Sequence, residues 1–519
     1  MTSLETIKSL VEQTKERCLN WIEETKEGVF FVDPLDKKEI SAHYGATHAA
    51  VSFLLLGLKN KDKKLEDVSV KLFSSIVERW SLISKLPEFH NDFNNFALCV
   101  AIEYLKDILE YKSLFEKLKN IVISTLDSPH NTVNWIPMRW YVNKCRYEWT
   151  GEEKYVTKCR ECYAKIKAAT YDDGFIDDRL PKGKSFNLQY DVATVAVMQF
   201  IRNRGEKLDI SREAGALINA VAPDGDINYL GRGTNQVFAW GLWIYFLASA
   251  GLDDVLEKAL AYCIDKIPIM LKNNNLMLNE WDGAEKYLWW DYHYCSVYTA
   301  HFLFWLVLAI EDYHVNEVLP VLSNAKDSGV EIIRDNGWFV AFFSGRSEYL
   351  AERGPIISAI GLGTGQMFVK GSFGPWQGAF GNKYISPMAV MNNFFGLKRI
   401  AMFPQNIRNR VVKKICSFFK KKVVQTEFPF FERGAVKCEE NRIKIVFQNT
   451  QNKASLINIP LISSQLCRLT LDVDGNSGKM WNVGSLKNQY GKCEIYQSKV
   501  YAAKVWTLIL EIVGENEDK

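Results

Sequence analysis

The chain has 519 residues, of which 47% are hydrophobic, so it can bury a large core and form two or three domains. Its 64 Lys and Arg residues nearly balance 61 Asp and Glu residues, so the net charge gives no reason to expect a nucleic-acid partner. The 11 Cys residues are odd in number and lack the spacing of a disulfide framework, which is typical of a reduced, intracellular protein.

The first predicted element is an amphipathic helix of mixed charge over residues 1–18. It lacks the basic start and the apolar stretch of a secretory signal peptide, and no apolar run in the chain reaches the length of a membrane span. We therefore expect a cytoplasmic protein without a membrane span, with export by another route left open.

Up to about residue 315 the pattern is helical, with apolar residues at three- and four-residue spacing. A polar, turn-rich stretch gives way to a strongly apolar helix six times, at intervals of roughly 40–55 residues, which is the length of a helical hairpin with its loops. These units start at Ser41, Asn91, Asn131, Ser185, Gly231 and Trp289. One-sided amphipathic helices, such as residues 67–83, lie between them.

This alternation predicts two concentric rings of helices, because inner helices are covered on every side and outer helices on one. We expect an α/α toroid of about six helical hairpins over residues 1–325. After Asn336, short β-branched or aromatic segments bounded by turn residues predict an antiparallel β-sandwich domain over residues 326–519.

A closed ring of hairpins brings the N-terminal ends of all inner helices to one face, where free N–H groups and helix dipoles favour anionic ligands. Capping explains part of the Asn content at these ends but not the accompanying His, Tyr, Arg and Gln. The first turns carry His43, Tyr44, His48, His90, Asn91, Asn94, Asn95, Asn131, Asn134, Arg139, Asn187, Gln189, Tyr190, Arg232, Asn235, Gln236, Trp290, Asp291, Tyr292 and His293.

Two loops that precede inner helices have similar sequences, YDDGFIDDRLPKGKSFNLQYD at 171–191 and APDGDINYLGRGTNQVFAWG at 222–241. With the motifs SFNLQYD at 185–191, DGDINYLGRGTNQ at 224–236 and NDFNNF at 91–96, the chain resembles the polysaccharide lyases that join an α/α toroid to an antiparallel β-sandwich, among them chondroitin, hyaluronan, alginate and heparinase-like lyases. The resemblance covers nearly the whole chain.

The resemblance implies β-elimination on a uronate-containing acidic polysaccharide, with no cofactor and no metal. A Tyr or His removes the C5 proton, and donors aimed at the carboxylate stabilise the charge that develops there. It assigns Tyr190 as base and acid, His293 as the alternative base, and Asn94 or Asn95 as the carboxylate neutraliser. The implied substrate contacts are His90, Asn134, Asn187, Gln189, Arg232, Asn235, Gln236, Trp290 and Tyr292.

The chain departs from this family's pattern at Tyr229 and Arg232, where many relatives have a His, and it has no His after His314. Two other functions stay open. A glycoside hydrolase on the same toroid would use two carboxylates, one of them protonated. Its candidates are Asp173, Asp177, Asp178, Asp191, Asp226, Asp282 and Asp291. A non-catalytic glycan-binding or biosynthesis protein would use the cleft without chemistry.

Overall fold

The computed structural model describes residues 2–86, 89–183, 186–230, 235–277 and 294–343, and the strands given below for the rest of the chain. Within these residues, one set of helices forms an inner ring and another set surrounds it. The inner helices are α2 (Gly45–Asn60), α4 (Asn91–Leu105), α6 (Ile136–Thr150), α8 (Leu188–Asn203), α10 (Val237–Ala250) and α12 (Cys295–Glu311). The outer helices are α1 (Ser3–Leu19), α3 (Lys63–Ile83), α5 (Lys112–Ser124), α7 (Glu153–Ala169), α9 (Ser211–Ala220) and α11 (Asp253–Met270).

The helix packing closes a ring. Each inner helix packs against the next one around, from α2 through α4, α6, α8 and α10 to α12, and α12 packs back against α2. Each of α3, α5, α7, α9 and α11 packs on the inner helix that precedes it, while α1 covers α12. The predicted α/α toroid is therefore confirmed by the contacts of the described helices.

Burial along the helices explains why they sort into two rings. Every residue of α10 is buried, in a run as apolar as VFAWGLWIYFLASA, so this helix is covered on all sides. In α5 the buried residues are Leu114, Leu118 and Val122, a single stripe at four-residue spacing. The all-round apolar helices thus take the centre and the one-sided helices the outside.

The C-terminal ends of the inner helices meet in a polar network on the axis. Arg204, at the end of α8, pairs with Asp312 at 2.5 Å and with Glu103 of α4 at 3.3 Å. The Tyr245 hydroxyl of α10 donates to Asp312 at 2.7 Å, and the Tyr141 hydroxyl of α6 donates to Glu103 at 3.1 Å. These bonds join α4, α6, α8, α10 and α12 at one end of the ring.

A three-stranded antiparallel sheet precedes α2, formed by β1 (Ile22–Thr25), β2 (Gly28–Asp33) and β3 (Lys38–Glu39). Asp33 ends β2 and is fully buried. Its carboxylate accepts hydrogen bonds from the backbone N–H and the hydroxyl of Ser296 in α12, both at 2.8 Å, and from the N–H of Leu35 at 2.9 Å. The loop before the first inner helix therefore caps the last one. A short hairpin, β4 (Leu271–Lys272) and β5 (Asn275–Leu276), follows α11.

The chain beyond the toroid forms antiparallel sheets. One sheet has the order β6-β7-β8-β9, with β6 at Val330–Asp335, β7 at Trp338–Phe343, β8 at Ile356–Gly361 and β9 at Gln366–Val369. The remaining strands are β10 (Gly378–Phe380), β11 (Lys383–Ile385), β12 (Phe431–Glu439), β13 (Arg442–Asn449), β14 (Ser455–Ile462), β15 (Cys467–Val473), β16 (Asn476–Gly478), β17 (Trp481–Asn488), β18 (Gly491–Val500) and β19 (Val505–Ile512). They pair as β10-β11, β12-β13-β19-β15-β16 and β14-β18-β17.

The first of these sheets contacts the toroid. Arg334 of β6 donates to the backbone carbonyl of Asn219 in α9 at 3.1 Å, and Phe339 of β7 meets Tyr229 edge-on at 5.8 Å. Residue 325, the predicted domain boundary, lies between α12 and β6. The antiparallel character of this region agrees with the sequence analysis, whereas the face-to-face packing of a β-sandwich and the division at residue 325 stay predictions.

Replacing Asp33 by Ala tests the closure of the ring. The change leaves the buried N–H groups of Ser296 and Leu35 without their acceptor, so we expect the free energy of unfolding to fall by about 3 kcal/mol. Urea unfolding followed by circular dichroism measures the difference. The matched control is Asp67→Ala, which removes an exposed carboxylate from α3. Equal stability of both variants would show that the Asp33 cap contributes nothing to closure.

Candidate functional site

The N-terminal ends of the six inner helices lie on one face of the toroid, which we call the mouth. The residues at the N-cap positions of these helices are Tyr44, His90, Trp135, Asn187, Gln236 and Tyr294. Asn187 caps its helix by accepting a hydrogen bond from the Gln189 N–H at 3.2 Å, whereas the other five side chains make no capping bond. Capping therefore explains Asn187 but not the aromatic and imidazole residues of the mouth.

Four half-buried rings form a continuous row across the mouth, which we call the ring track. Trp135 lies 5.0 Å from His90, His90 stacks on His43 at 4.2 Å, and His43 lies 4.7 Å from Tyr294, all between ring centroids. These rings come from the starts of α6, α4, α2 and α12. Aromatic and imidazole rings at a partly exposed surface offer both stacking area and hydrogen-bonding atoms to a ligand.

Below the ring track, a second layer of rings forms the floor of the mouth. Tyr44 stacks on Phe93 at 4.4 Å, and Phe238 stacks on His301 at 4.4 Å. Tyr190 of α8 meets Phe238 edge-on at 6.3 Å and is 7% exposed. The predicted base thus lies in the floor, beside Phe238.

Burial sets the protonation of the two histidines near the axis. It lowers the pKa of His48 to about 3, against the opposing effect of a hydrogen bond from its Nδ1 to the Tyr44 carbonyl at 2.8 Å. Burial also lowers the pKa of His301 well below its usual range, helped by the nearby His48. Both imidazoles are therefore neutral at ordinary pH.

Some of the predicted polar residues are engaged in the structure of the toroid itself. The Asn94 side chain accepts from the Thr47 hydroxyl at 2.8 Å and donates to the His90 carbonyl at 3.0 Å. Gln189 accepts from the Asn228 amide at 3.2 Å. Asn235 accepts from the hydroxyl of Tyr262 at 2.7 Å. These bonds link neighbouring helices and loops, which accounts for these residues without a ligand.

Other predicted polar residues carry buried atoms without a hydrogen-bond partner. Within the part of the chain that the structure describes, both polar atoms of Gln236 and of Asn95 are unpartnered, as are Nδ2 of Asn187 and Oδ1 of Asn134. Asn134, Asn187 and Gln236 lie at the starts of three successive inner helices, α6, α8 and α10. Phe93 and Phe96 project from α4 toward the centre of the ring. Because helix positions advance by about 100° per residue, Asn95 projects from a different side of α4. The open amides on one side of the mouth are therefore Asn134, Asn187 and Gln236.

The carboxylates proposed for hydrolysis are engaged in the loops. Asp177 accepts from the Tyr171 hydroxyl at 3.0 Å and from the Gly183 N–H at 2.7 Å. Asp226 accepts from the Asn228 N–H at 2.7 Å, and Asp173 accepts from the N–H and hydroxyl of Ser328. Their hydrogen bonds hold turns together, in the manner of Asx turns.

Two further candidates are buried. Asp178 is 6% exposed, and its backbone carbonyl accepts from the Val133 N–H at 2.8 Å. Asp191 is fully buried; one oxygen accepts from the Ile176 N–H at 3.2 Å and the other has no partner. Burial raises the pKa of Asp191 well above its usual range. Asp191 is therefore protonated at a pH where ordinary carboxylates are charged.

Several predicted residues fall outside the described part of the chain. They are Arg232, Asp282, Trp290, Asp291, Tyr292 and His293. The corresponding expectations, including His293 as alternative base, stay predictions. Within the described residues, no cluster of three or more His, Cys, Asp or Glu side chains is arranged to hold a metal ion, and no helix has both the length and the apolar character needed to cross a membrane.

The Asp-Gly turns of the two similar loops share the same hydrogen-bond pattern and close contact. In the first, the Tyr171 N–H donates to the Phe175 carbonyl at 2.8 Å, and Gly174 at φ +95° presses on the Arg212 carbonyl of α9. In the second, the Ala222 N–H donates to the Asp226 carbonyl at 2.8 Å, and Gly225 at φ +91° presses on the backbone of α11.

Each loop also reaches back to the preceding inner helix, through the bonds Val133 N–H to Asp178 O and Leu188 N–H to Leu230 O, at 2.8 and 3.2 Å. The recurring Asp-Gly turn thus anchors each loop to an outer helix and aligns two adjacent inner helix starts.

Trp135, Tyr294 and His301 line the mouth but were not among the predicted site residues. Trp135 and Tyr294 were missed because the predicted starts of their helices lay several residues upstream. His301 is the only basic residue within the largely apolar run CSVYTAHFLFWL, and that interruption is the signal that could have identified it.

The chain matches no family model, and no curated protein matches it. Among solved structures, it is similar to the GH76A α-1,6-mannanase from Salegentibacter sp. HEL1_6, at 11% identity and a TM-score of 0.42, over 58% of this chain and 99% of that one. It is also similar to a glycosyl hydrolase family 88 protein from Bacteroides vulgatus, at 13% identity and a TM-score of 0.41, over 60% and 99% of the two chains. A polysaccharide lyase matches at 12% identity and a TM-score of 0.41, over 60% and 97%.

Replacing Gly174 by Ala tests the anchoring of the first loop. The added Cβ would lie 2.4 Å from the Arg212 carbonyl oxygen, so the loop must move away from α9. Gly183 has nearly the same φ, +93°, but nothing lies within 4 Å of its Cβ position, so Gly183→Ala is the matched control for backbone strain alone. We expect losses of about 3 kcal/mol for Gly174→Ala and about 1 kcal/mol for the control in urea unfolding. Equal losses would contradict the close approach.

Proposed function

We propose that this protein is a carbohydrate-active enzyme that binds a uronate-containing acidic polysaccharide in the mouth and cleaves it by β-elimination. The observation that carries this proposal is a contrast among polar groups. The carboxylates of Asp173, Asp177 and Asp226 hold loops together, whereas Asn187 and Gln236, at successive helix starts, carry buried amide N–H donors without a partner among the described residues. β-Elimination needs amide donors and a Tyr or His, whereas hydrolysis needs a pair of available carboxylates.

Recognition of the sugar chain is assigned to the ring track and the open amides. The half-buried rings of Trp135, His90, His43 and Tyr294 offer stacking surface to the apolar faces of sugar rings. The Nδ2 of Asn187 and the Nε2 of Gln236 are donors for a carboxylate, in a region where helix N-termini already favour negative charge. Asn95, the second residue predicted to neutralise the carboxylate, has an unpartnered amide among the described residues but lies away from the centre of the ring.

Catalysis is assigned to Tyr190. As a base it removes the C5 proton of the uronate, whose carboxylate takes up the developing charge and is stabilised by the amide donors. The C4–O bond then breaks, a C4–C5 double bond forms, and the proton passes to the leaving oxygen. Tyr190 lies in the floor beside Phe238. It directly follows Gln189 in the first turn of α8, the helix that Asn187 caps.

Hydrolysis is the second candidate, and one observation favours it. Asp191 is a carboxyl held protonated by burial, as a general acid requires. It is nevertheless 1% exposed and bonded to Ile176, and the described Asp residues near it are engaged in turns. A hydrolase would therefore need an ionised partner to complete the pair.

Replacing Tyr190 by Phe tests the proposed base. We expect β-elimination to fall at least about 100-fold, because the phenol group is lost, while binding of the polysaccharide is retained. Acidic polysaccharides such as hyaluronan, alginate and polygalacturonate are incubated with the protein, and the ultraviolet absorbance of the unsaturated uronate is followed. Tyr313→Phe, just beyond the C-terminal end of α12, is the matched control and keeps full activity.

The same assay separates the alternatives. New reducing ends without the unsaturated product would indicate hydrolysis and overturn the proposed elimination. Binding without either product would indicate a non-catalytic glycan-binding protein. Undiminished elimination in the Tyr190→Phe variant would overturn the assignment of Tyr190.

A further inference from the structure

His301 lies on the axis of the toroid, in the floor of the mouth, one layer below the ring track. It lies on α12 and is fully buried. Its ring contacts come from three other inner helices: His48 of α2 at 5.1 Å, Phe93 of α4 at 6.2 Å and Phe238 of α10 at 4.4 Å between centroids. A residue in contact with helices on opposite sides of a ring lies at its centre.

Among the described residues, neither ring nitrogen of His301 has a hydrogen-bond partner, and neither does the indole Nε1 of Trp305. Trp305 follows His301 by four positions and therefore lies on the same side of α12. Their ring centroids are 6.1 Å apart. A buried polar group without a partner costs about 1–3 kcal/mol, so three such atoms together point to a partner that is not part of the protein.

The chemistry of these atoms defines the partner. Burial keeps the His301 imidazole neutral, so it offers one N–H donor and one acceptor nitrogen. The indole of Trp305 offers a donor only. No described charged side chain forms a ring contact or a hydrogen bond with His301. The matching group is uncharged and both donates and accepts hydrogen bonds, which a hydroxyl group does.

We propose that His301 and Trp305 bind a hydroxyl group on the axis of the toroid, supplied either by an internal water molecule or by a saccharide in the mouth. At 6.1 Å between ring centroids, one oxygen can contact a nitrogen of each ring. The ring of Tyr44, which is also part of the floor, lies 5.3 Å from that of His301, so the site is enclosed by the rings of the floor. It does not depend on which reaction the mouth catalyses.

Nitrogen-15 NMR of the full chain with labelled histidine tests the site. The seven His residues give few signals, and His301→Phe identifies the signal of His301. We expect both His301 nitrogens to show the chemical shifts of a hydrogen-bonded neutral imidazole. Trp305→Phe removes the indole donor and shifts these signals. The matched control is Trp243→Phe, which removes another buried, unpartnered indole N–H from α10, and it leaves them unchanged.

Shifts of a neutral imidazole without hydrogen bonds in the unaltered protein would overturn the proposal. A crystal structure gives the second readout, independent of the variants: an oxygen about 3 Å from a His301 nitrogen and from the Trp305 Nε1. Crystals grown without ligand and with a hyaluronan tetrasaccharide distinguish the two sources. Water in both crystals assigns the site to water, a sugar hydroxyl assigns it to the saccharide, and a dry site in both contradicts the inference.

Discussion

The mouth exists because the first and last hairpins of the toroid are joined. Asp33 ends a strand before the first inner helix, and its buried carboxylate caps the last inner helix at Ser296. This contact spans more than half of the chain, and α12 packs against α2 beside it. Because the two helices meet, His43 of the α2 segment comes within 4.7 Å of Tyr294 at the start of α12. Without closure, the ring track would end at His43.

The chemistry of the mouth follows from how the loops before α8 and α10 are held. Their Asp residues accept hydrogen bonds within the loops, and Gly174 and Gly225 let each loop sit against an outer helix. The backbone of each loop also aligns a neighbouring helix start. At these starts the Asn187 oxygen caps its helix, while Asn187 Nδ2, Asn134 Oδ1 and both polar atoms of Gln236 are buried without a partner among the described residues.

The ring and its face could be predicted from the sequence because both depend on periodic features. Recurring polar-to-apolar transitions located all six inner helices of the described residues within about six residues of their observed starts. The starts themselves depend on local backbone geometry. For example, Gly231 begins the predicted unit, but Asn235 takes a left-handed conformation at φ +52°, so α10 begins only at Val237.

The roles of individual polar residues were less accessible, because they depend on partners from other helices. Asn94 and Asn95 are adjacent and identical in type, yet the hydroxyl of Thr47 on α2 engages only Asn94. Likewise, Asn235 is held by Tyr262 of α11, while its neighbour Gln236 has no partner. The position of His301 on the axis follows from its contacts with three other inner helices, which the sequence alone does not give.

The central claim is that the mouth binds an acidic sugar chain through the open amides and the ring track. A crystal structure of the Tyr190→Phe variant with an oligosaccharide of alternating or repeated uronates tests it most directly. We expect a uronate carboxylate within hydrogen-bonding distance of Gln236 or Asn187, and sugar rings along Trp135, His90, His43 and Tyr294. An oligosaccharide bound away from the mouth, or in the mouth with its carboxylates turned away from these amides, would contradict the account.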